Sequence, residues 1–461
     1  MDNFLSSGEQ DARAIIGRLR RRNFSGNTGQ AIKNSSYQLT TNIILKVGSL
    51  LFTIIIARML LPERMGLYSL ALSTIVFFSA FSDFGVSTAL ITFVSKSLGQ
   101  GNSEKANGYF RKIYRLKYIM LIACAVVLIV SAFFISKYYY QKPIFYALLA
   151  GGLYIPIVGL VSFFEQAFRA ENNFKISLKK EILFQTLRLV IVPLGILILL
   201  KENFSNDLVV FGIILFITLA YLFSLLYLIW TAKKKLSFLA TKAEKLSSQE
   251  SKDLKKFLLP MTVTVLSGVF FGYIDTLMLG RFVTESYIAY YGAAFSLIGS
   301  GVAIIGFIST AIFPLFSKLE GKVLERLFRK SRNATILISL LSAVFTYLFA
   351  YYLIRLAYGQ EYLTAVPILK FFSIFVLTLP LTSIYETYLT SQKRTGIIAR
   401  LLIISTILNI VLNYFGITYG LGVAGNIGAV YGACFATIIS RVFYTVGVIV
   451  AKQRIRLSKS F

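Results

Sequence analysis

A chain of 461 residues that is 56% hydrophobic, only 15% charged and of mean hydropathy +0.71 is too apolar for a set of soluble domains. Its formal charge of +28 would suit a nucleic-acid binder if the basic residues gathered on one patch, but they are dealt out between apolar runs, which excludes that partner. Cys124 and Cys434 both lie inside apolar runs and histidine is absent, so no disulfide framework, metal site or cofactor is expected.

Residues 1–34 are polar and basic (Arg13, Arg18, Arg20, Arg21, Arg22, Lys33) and lack the apolar stretch of a cleavable signal peptide. From there on, apolar runs predict twelve membrane spans, at 37–57, 66–90, 113–136, 143–164, 181–200, 208–230, 258–280, 288–316, 333–354, 366–390, 397–415 and 424–450. The runs do not alternate as lipid-facing strands would, so the expected class is an all-α integral membrane protein. The second, eighth and tenth segments are long enough to be tilted or broken.

Lysine and arginine set the orientation. With the N-terminus inside, the two tails and the even-numbered loops hold 37 of these residues and the odd-numbered loops 8, while Lys46, Arg188 and Arg441 lie within spans. Such a bias, kept in register through every loop, places both termini in the cytoplasm of a multi-pass cell-membrane protein. The one sizeable hydrophilic interruption, 231–256, falls halfway along. The expected organisation is therefore a basic tail (1–34), a six-helix lobe (35–230), a cytoplasmic linker (231–256), a second six-helix lobe (257–451) and a short tail (452–461).

The halves resemble each other. At an offset of 223, Arg58, Tyr68, Ala71 and Ser73 fall on Arg281, Tyr291, Ala294 and Ser296; at 221, Glu165 falls on Glu386 and Arg188 on Asn409. Six spans per half give both copies the same orientation, as in the parallel repeats of secondary transporters.

Polar residues inside the spans are the candidate site, because a charge at mid-membrane costs about 2.5–3.5 kcal/mol and normally faces a bundle interior or aqueous cavity. Gln38, Asn42, Lys46, Ser49 and Thr53 form one polar stripe along the first span. Glu181, Gln185 and Arg188 repeat the pattern in the fifth, ahead of Pro193, where a kink is expected. Arg400, Asn409 and Asn413 mark the eleventh span and Arg441 the twelfth. Lys46, Arg188, Arg441 and Arg400 are candidates for binding an anionic substrate, with Arg400 equally readable as an interface residue; Gln38, Asn42, Gln185, Asn409 and Asn413 are candidates for lining the cavity. Asp275, in the seventh span near Arg281, is a candidate for ion coupling or for a structural pair, and ion pairs are expected at Glu165 and Glu386. Glycines at Gly268 and Gly272, and at Gly428 and Gly432, have the spacing of close helix packing. No phosphate-binding loop, zinc motif or nucleophile elbow is present, and the longest external loop is about ten residues, so an ATPase or a membrane-embedded transferase is disfavoured.

The stretch Ala57-Arg-Met-Leu-Leu-Pro-Glu-Arg-Met-Gly-Leu-Tyr-Ser-Leu-Ala71, with Phe81-Ser-Asp-Phe-Gly-Val-Ser-Thr-Ala-Leu90, resembles the Wzx-type polysaccharide and O-antigen repeat-unit flippases of the multidrug/oligosaccharidyl-lipid/polysaccharide exporter superfamily. Tyr273-Ile-Asp-Thr-Leu-Met-Leu-Gly-Arg-Phe282, followed by Tyr291-Gly-Ala-Ala294, is similar to that family's second-lobe opening. The resemblance implies two six-helix lobes around a V-shaped, MATE-like cavity. It implies a non-enzymatic flippase for a polyprenyl-phosphate- or pyrophosphate-linked oligosaccharide, received by cavity cations such as Lys46, Arg188 and Arg441. It also implies a proton or sodium counter-ion, for which Asp275 is the first position to examine, contact with membrane lipids, and glycan-assembly enzymes as partners. The alternative within the superfamily is an ion-coupled drug or metabolite antiporter.

Overall fold

In a computed structural model the described residues are 26–458, and among them every regular element is helical. The arginines of the basic tail at 13–22, and residues 459–461, lie outside the described residues. We number the helices α1 (Gly26–Ala80), α2 (Val86–Gly99), α3 (Ser103–Phe134), α4 (Phe145–Ala170), α5 (Phe174–Lys201), α6 (Asn206–Lys235), α7 (Ser248–Phe282), α8 (Glu285–Lys318), α9 (Gly321–Tyr358), α10 (Ala365–Ser391) and α11 (Thr395–Ser458).

Two of these are pairs of rods joined by a sharp bend. In α1 the bend is Leu61, at φ 62° and ψ 169° just before Pro62. A residue before proline is pushed out of the helical region, and proline then starts the second arm well because the first turn needs no amide donor. In α11 the bend is Ala424–Gly425, with Gly425 at φ 64°. Eleven of the twelve apolar runs thus have a rod of their own, the second being shared between α1 and α2, and the chain is an all-α membrane protein. Eight of the described helices, the two bent ones included, are long and apolar enough to cross a bilayer.

The second run is broken, at 81–85, between α1 and α2. Gly85 (φ 77°) takes the left-handed conformation that opens α2, and Lys117 of α3 reaches in to donate to the Ser82 carbonyl at 3.0 Å and to the Asp83 carboxylate at 3.1 Å. Carbonyls freed by a broken helix need a partner at this depth, and a buried ammonium supplies one. Lys117, counted by sequence among the solvated loop cations, is instead only 3% exposed. The eighth and tenth runs are continuous, and α5 passes through Pro193 unbroken.

The linker is not a loose tether. Glu244 donates its amide to the Glu104 carbonyl at 3.0 Å, Asn107 donates to the Thr241 carbonyl at 2.6 Å, and the Thr241 hydroxyl donates to the Ser103 carbonyl at 3.2 Å. A side chain at Gly108 would strike the Glu244 carbonyl, which explains glycine there. The first turns of α7 continue this docking through the Lys105–Glu250 ion pair, a Lys112–Ser251 hydrogen bond and Phe93 edge-on to Phe257.

At the opposite end the halves are stapled together. Arg58 donates to the Ala357 carbonyl at 2.8 Å and also to that of Leu356, at the end of α9. Arg281 donates to the Tyr139 carbonyl at 2.6 Å, in the π-helical turn Ile135–Tyr140 that extends α3. Lys142 pairs with Glu285 at 3.1 Å, and the Tyr362 hydroxyl donates to the Ala57 carbonyl at 3.2 Å. Arg58 and Arg281 are the residues matched by the repeat.

The arms of α11 pack by glycine. A Cβ at Gly416 would stand 2.7 Å from the Gly432 carbonyl oxygen, and Gly420 and Gly428 oppose each other as closely. Gly268 and Gly272, by contrast, have nothing within 4 Å. We expect Gly432→Leu to force the arms apart and cost about 1–3 kcal/mol as overpacking, read as a lower melting temperature in detergent, while Gly268→Ala leaves it unchanged.

Candidate functional site

The structure gathers the intramembrane polar residues into two separate clusters, one in each half. The first is built on α5. Lys180, Glu181, Gln185 and Arg188 fall on one helical face, with 181, 185 and 188 at steps of four and three. Gln185 donates to Glu181 at 2.6 Å and accepts from Arg188 at 2.7 Å, and Arg188 also reaches the Ser49 hydroxyl of α1 at 3.3 Å. Its guanidinium lies over the rings of Phe52 and Phe184, 4.3 and 5.1 Å from their centroids. Such stacking holds an arginine in an apolar bundle while leaving its N–H edge for other acceptors. Phe184 is itself stacked on Tyr221 at 3.9 Å. Gly48 is required here, because a Cβ at that position would stand 2.5 Å from Oε1 of Gln185.

Below this cluster, Glu165 accepts from Arg169 at 2.7 Å and from Lys180 at 2.9 Å, and Lys180 also meets Glu181 at 2.9 Å. The ion pair expected at Glu165 is therefore present, and Lys180, counted with the loop cations, is 6% exposed inside it.

The second cluster joins α7, α8 and both arms of α11 around Asp275. The buried carboxylate accepts from the Tyr291 hydroxyl at 2.5 Å, from Asn413 at 2.6 Å and from Thr437 at 2.7 Å. Asn409 donates to Thr437 and Ser440 at 3.1 and 3.2 Å. The amide oxygens of Asn409 and Asn413 are buried with no protein donor. Two carbonyl oxygens beside a carboxylate and two hydroxyls form an oxygen-rich set that suits a hard monovalent cation. The neighbour expected for Asp275, Arg281, is not its partner: it is committed to the Tyr139 carbonyl. Arg441 lies on the same side of the second arm of α11 and interacts electrostatically with Asp275 and Glu386. Glu386 accepts a short hydrogen bond from Tyr444.

Other expected site residues stay outside both clusters. Gln38, Lys46 and Arg400 are exposed and Asn42 is half-buried, so the stripe on α1 touches the Arg188 cluster through Ser49. Sequence reasoning missed Phe52, Phe184, Tyr291, Thr437 and Ser440 as site members. Tyr291 stood in the repeat match, and Thr437, Ser440 and Arg441 share one helical face, so a signal existed for the hydroxyls of α8 and α11 but not for the aromatic seat. Near the C-terminus, Lys452 is likewise internal, paired with Glu325 at 2.6 Å and lying over Phe328 and Tyr388.

Comparison with known proteins places this architecture. A family model described as "Polysaccharide biosynthesis protein" matches residues 31–320, and a MatE model matches 260–415. The chain belongs to the polysaccharide biosynthesis protein family. It is 22% identical over 359 residues to stage V sporulation protein B of Bacillus subtilis, covering 72% of this chain and 67% of that one. It is 22% identical over 182 residues to the probable low-salt glycan biosynthesis flippase Agl15 of Haloferax volcanii, covering 39% of each. Among solved structures, lipid II flippase MurJ in an inward closed conformation aligns with TM-score 0.66 at 15% identity, covering 90% of this chain and 86% of that one, a likeness of fold.

The Asp83–Lys117 pair yields a direct check on this interior. Lys117→Met should strip the break of its cation and cost up to about 3 kcal/mol, whereas adding Asp83→Asn should recover part of that loss in thermal unfolding. Equal stability of the single and double variants would contradict the role given to the pair.

Proposed function

We propose that this protein is a flippase that carries a polyprenyl-phosphate- or pyrophosphate-linked oligosaccharide from the inner to the outer leaflet by alternating access, in the assembly of a cell-surface glycan. The observation that carries this reading is Arg188, a cation in the first lobe that is seated on the rings of Phe52 and Phe184 and hydrogen-bonded to the neutral side chains of Gln185 and Ser49. A guanidinium held this way offers a forked donor edge that matches phosphate oxygens. The lobes are 35–230 and 257–451, with the linker and both tails on the cytoplasmic side as the lysine and arginine distribution requires. The names of the Haloferax relative and of the MurJ structure, both flippases, support the same cargo class.

In this reading Lys46, Arg441 and Arg400 join Arg188 in guiding the anionic head group, and Gln38, Asn42 and Gln185 line its path with Asn409 and Asn413. The exposed cations on α1 and α11 present charge to an approaching lipid head group before Arg188 receives it. The Asp275 cluster takes the counter-ion, a proton or sodium, and couples its movement to the lobes because its ligands come from three helices. Enzymes that build and polymerise the glycan are the expected partners. The MatE match over 260–415, which contains Asp275, Tyr291, Asn409 and Asn413 of that cluster, favours a second reading as an ion-coupled drug or metabolite antiporter.

Arg188→Ala is expected to abolish surface glycan display, and Lys46→Ala to reduce it severely, with protein level and membrane insertion intact. Normal display in both variants would sink the flippase reading in favour of the antiporter. In proteoliposomes loaded with lipid-linked oligosaccharide, Asp275→Asn should remove the response of flipping to an imposed sodium or proton gradient. A gradient response equal to that of the wild type would take the coupling role away from Asp275.

A further inference from the structure

The buried charges of α4 and α5 form one continuous chain, and its composition is uneven. From the cytoplasmic edge it runs Arg169, Glu165, Lys180, Glu181, Gln185, Arg188, with each neighbour in hydrogen-bond contact at 2.6–2.9 Å. Three cations and two carboxylates leave one positive charge in excess. Both carboxylates are used up at the near end: Glu165 holds Arg169 and Lys180, and Glu181 holds Lys180 with one oxygen and Gln185 with the other. Among the described residues no carboxylate lies within ion-pair distance of Arg188.

A neutral amide stands where a carboxylate would otherwise reach. Gln185 donates its N–H to Glu181 and turns its carbonyl oxygen to Arg188, so its orientation is set from both sides. Gly48 gives that amide its room against α1. The guanidinium keeps Nε without a protein acceptor. An arginine in a bidentate ion pair has its fork filled and its charge balanced, and an anionic ligand then has to displace the carboxylate. One held through a neutral spacer has neither obstacle.

We propose that Gln185 and Lys180 are positioning residues that keep the charge of Arg188 unspent, Gln185 by separating it from Glu181 and Lys180 by occupying that carboxylate. The ligand they preserve it for is the phosphate or pyrophosphate of the lipid-linked cargo, so the inference rests on the reading of Arg188 given above. It assigns specificity to residues that never touch the cargo's phosphate.

The test is binding of farnesyl diphosphate, a polyprenyl diphosphate without sugar, to the purified full-length chain in detergent micelles. Gln185→Glu places a carboxylate against Arg188 and should weaken binding at least tenfold, close to Arg188→Ala. Glu181→Gln removes the nearest anion and should bind as tightly as the wild type or a few-fold more tightly, although it breaks the same network. A network that only stabilises the fold predicts the opposite ranking, with Glu181→Gln at least as damaging as Gln185→Glu, and that result would overturn the proposal. Gly48→Ala, which changes no charge but displaces the amide, should also weaken binding. If Gln185→Glu does not fold, Lys180→Gln should weaken binding at least threefold by freeing Glu181, and Lys180→Gln with Glu181→Gln should restore it; failure to restore counts against the spacer. Wild-type affinity in Arg188→Ala overturns the head-group reading itself, whereas loss there with wild-type affinity in Gln185→Glu overturns the spacer role alone.

Discussion

Two arginines one repeat interval apart, Arg58 and Arg281, fix how the halves of this protein meet. Each sits at the end of the first rod of its own lobe and donates to carbonyls at the end of the third rod of the other, Arg58 to residues 356 and 357 and Arg281 to residue 139. The last carbonyls of a helix lack intrahelical donors and carry the negative end of its dipole, so a guanidinium is the natural cap. Because the contact is made twice, by residues matched in the repeat, it defines a pseudo-twofold relation between lobes and not a chance touch. The polar interior holds a cationic cluster in one lobe and an anionic one in the other.

The two clusters occupy corresponding places and have diverged in charge. At the offset of 223, Phe52 corresponds to Asp275 and Tyr68 to Tyr291, and at 221 Arg188 corresponds to Asn409. In the first lobe the aromatic ring seats a cation; in the second a carboxylate takes the ring's place and gathers hydroxyls and amides. Duplication supplies the scaffold twice, and a few substitutions at facing positions decide which sign of charge each copy receives.

Much of this was legible from residues alone, and what was not has a common cause. Runs of apolar residues located every rod but α2, which was read as the tail of the second run, since a span must satisfy its backbone internally whatever else it does. The pairing Arg58/Arg281 and Tyr68/Tyr291 was visible as identity at a fixed offset. Counting lysines and arginines treated Lys117, Lys180 and Lys452 as solvated, because a tally of loop charge is blind to a carboxylate brought in from another helix. Each of the three has such a partner, in Asp83, Glu165 with Glu181, and Glu325. The stripe on α1 is visible as a polar period in the sequence, but its depth of burial depends on which helices pack beside it: Ser49 meets Arg188, while Gln38 and Lys46 stay exposed. The break at 81–85 lay inside an apolar run, where only Asp83 and Gly85 hinted at it.

The docking of the linker changes what α7 has to do. Its first turns are pinned to α2 and α3 through Phe257 and Glu250, while Asp275, eighteen residues past Phe257 and about 27 Å further along, is bonded into α8 and α11. One rod is thereby a member of both lobes. Rocking of one lobe against the other would twist this single helix, and Gly268 and Gly272 leave open space on either side of Phe270, which packs edge-on against Phe77 of α1. The Asp275 ligands sit at one end of that torsion bar, so whatever tightens them stiffens the bar.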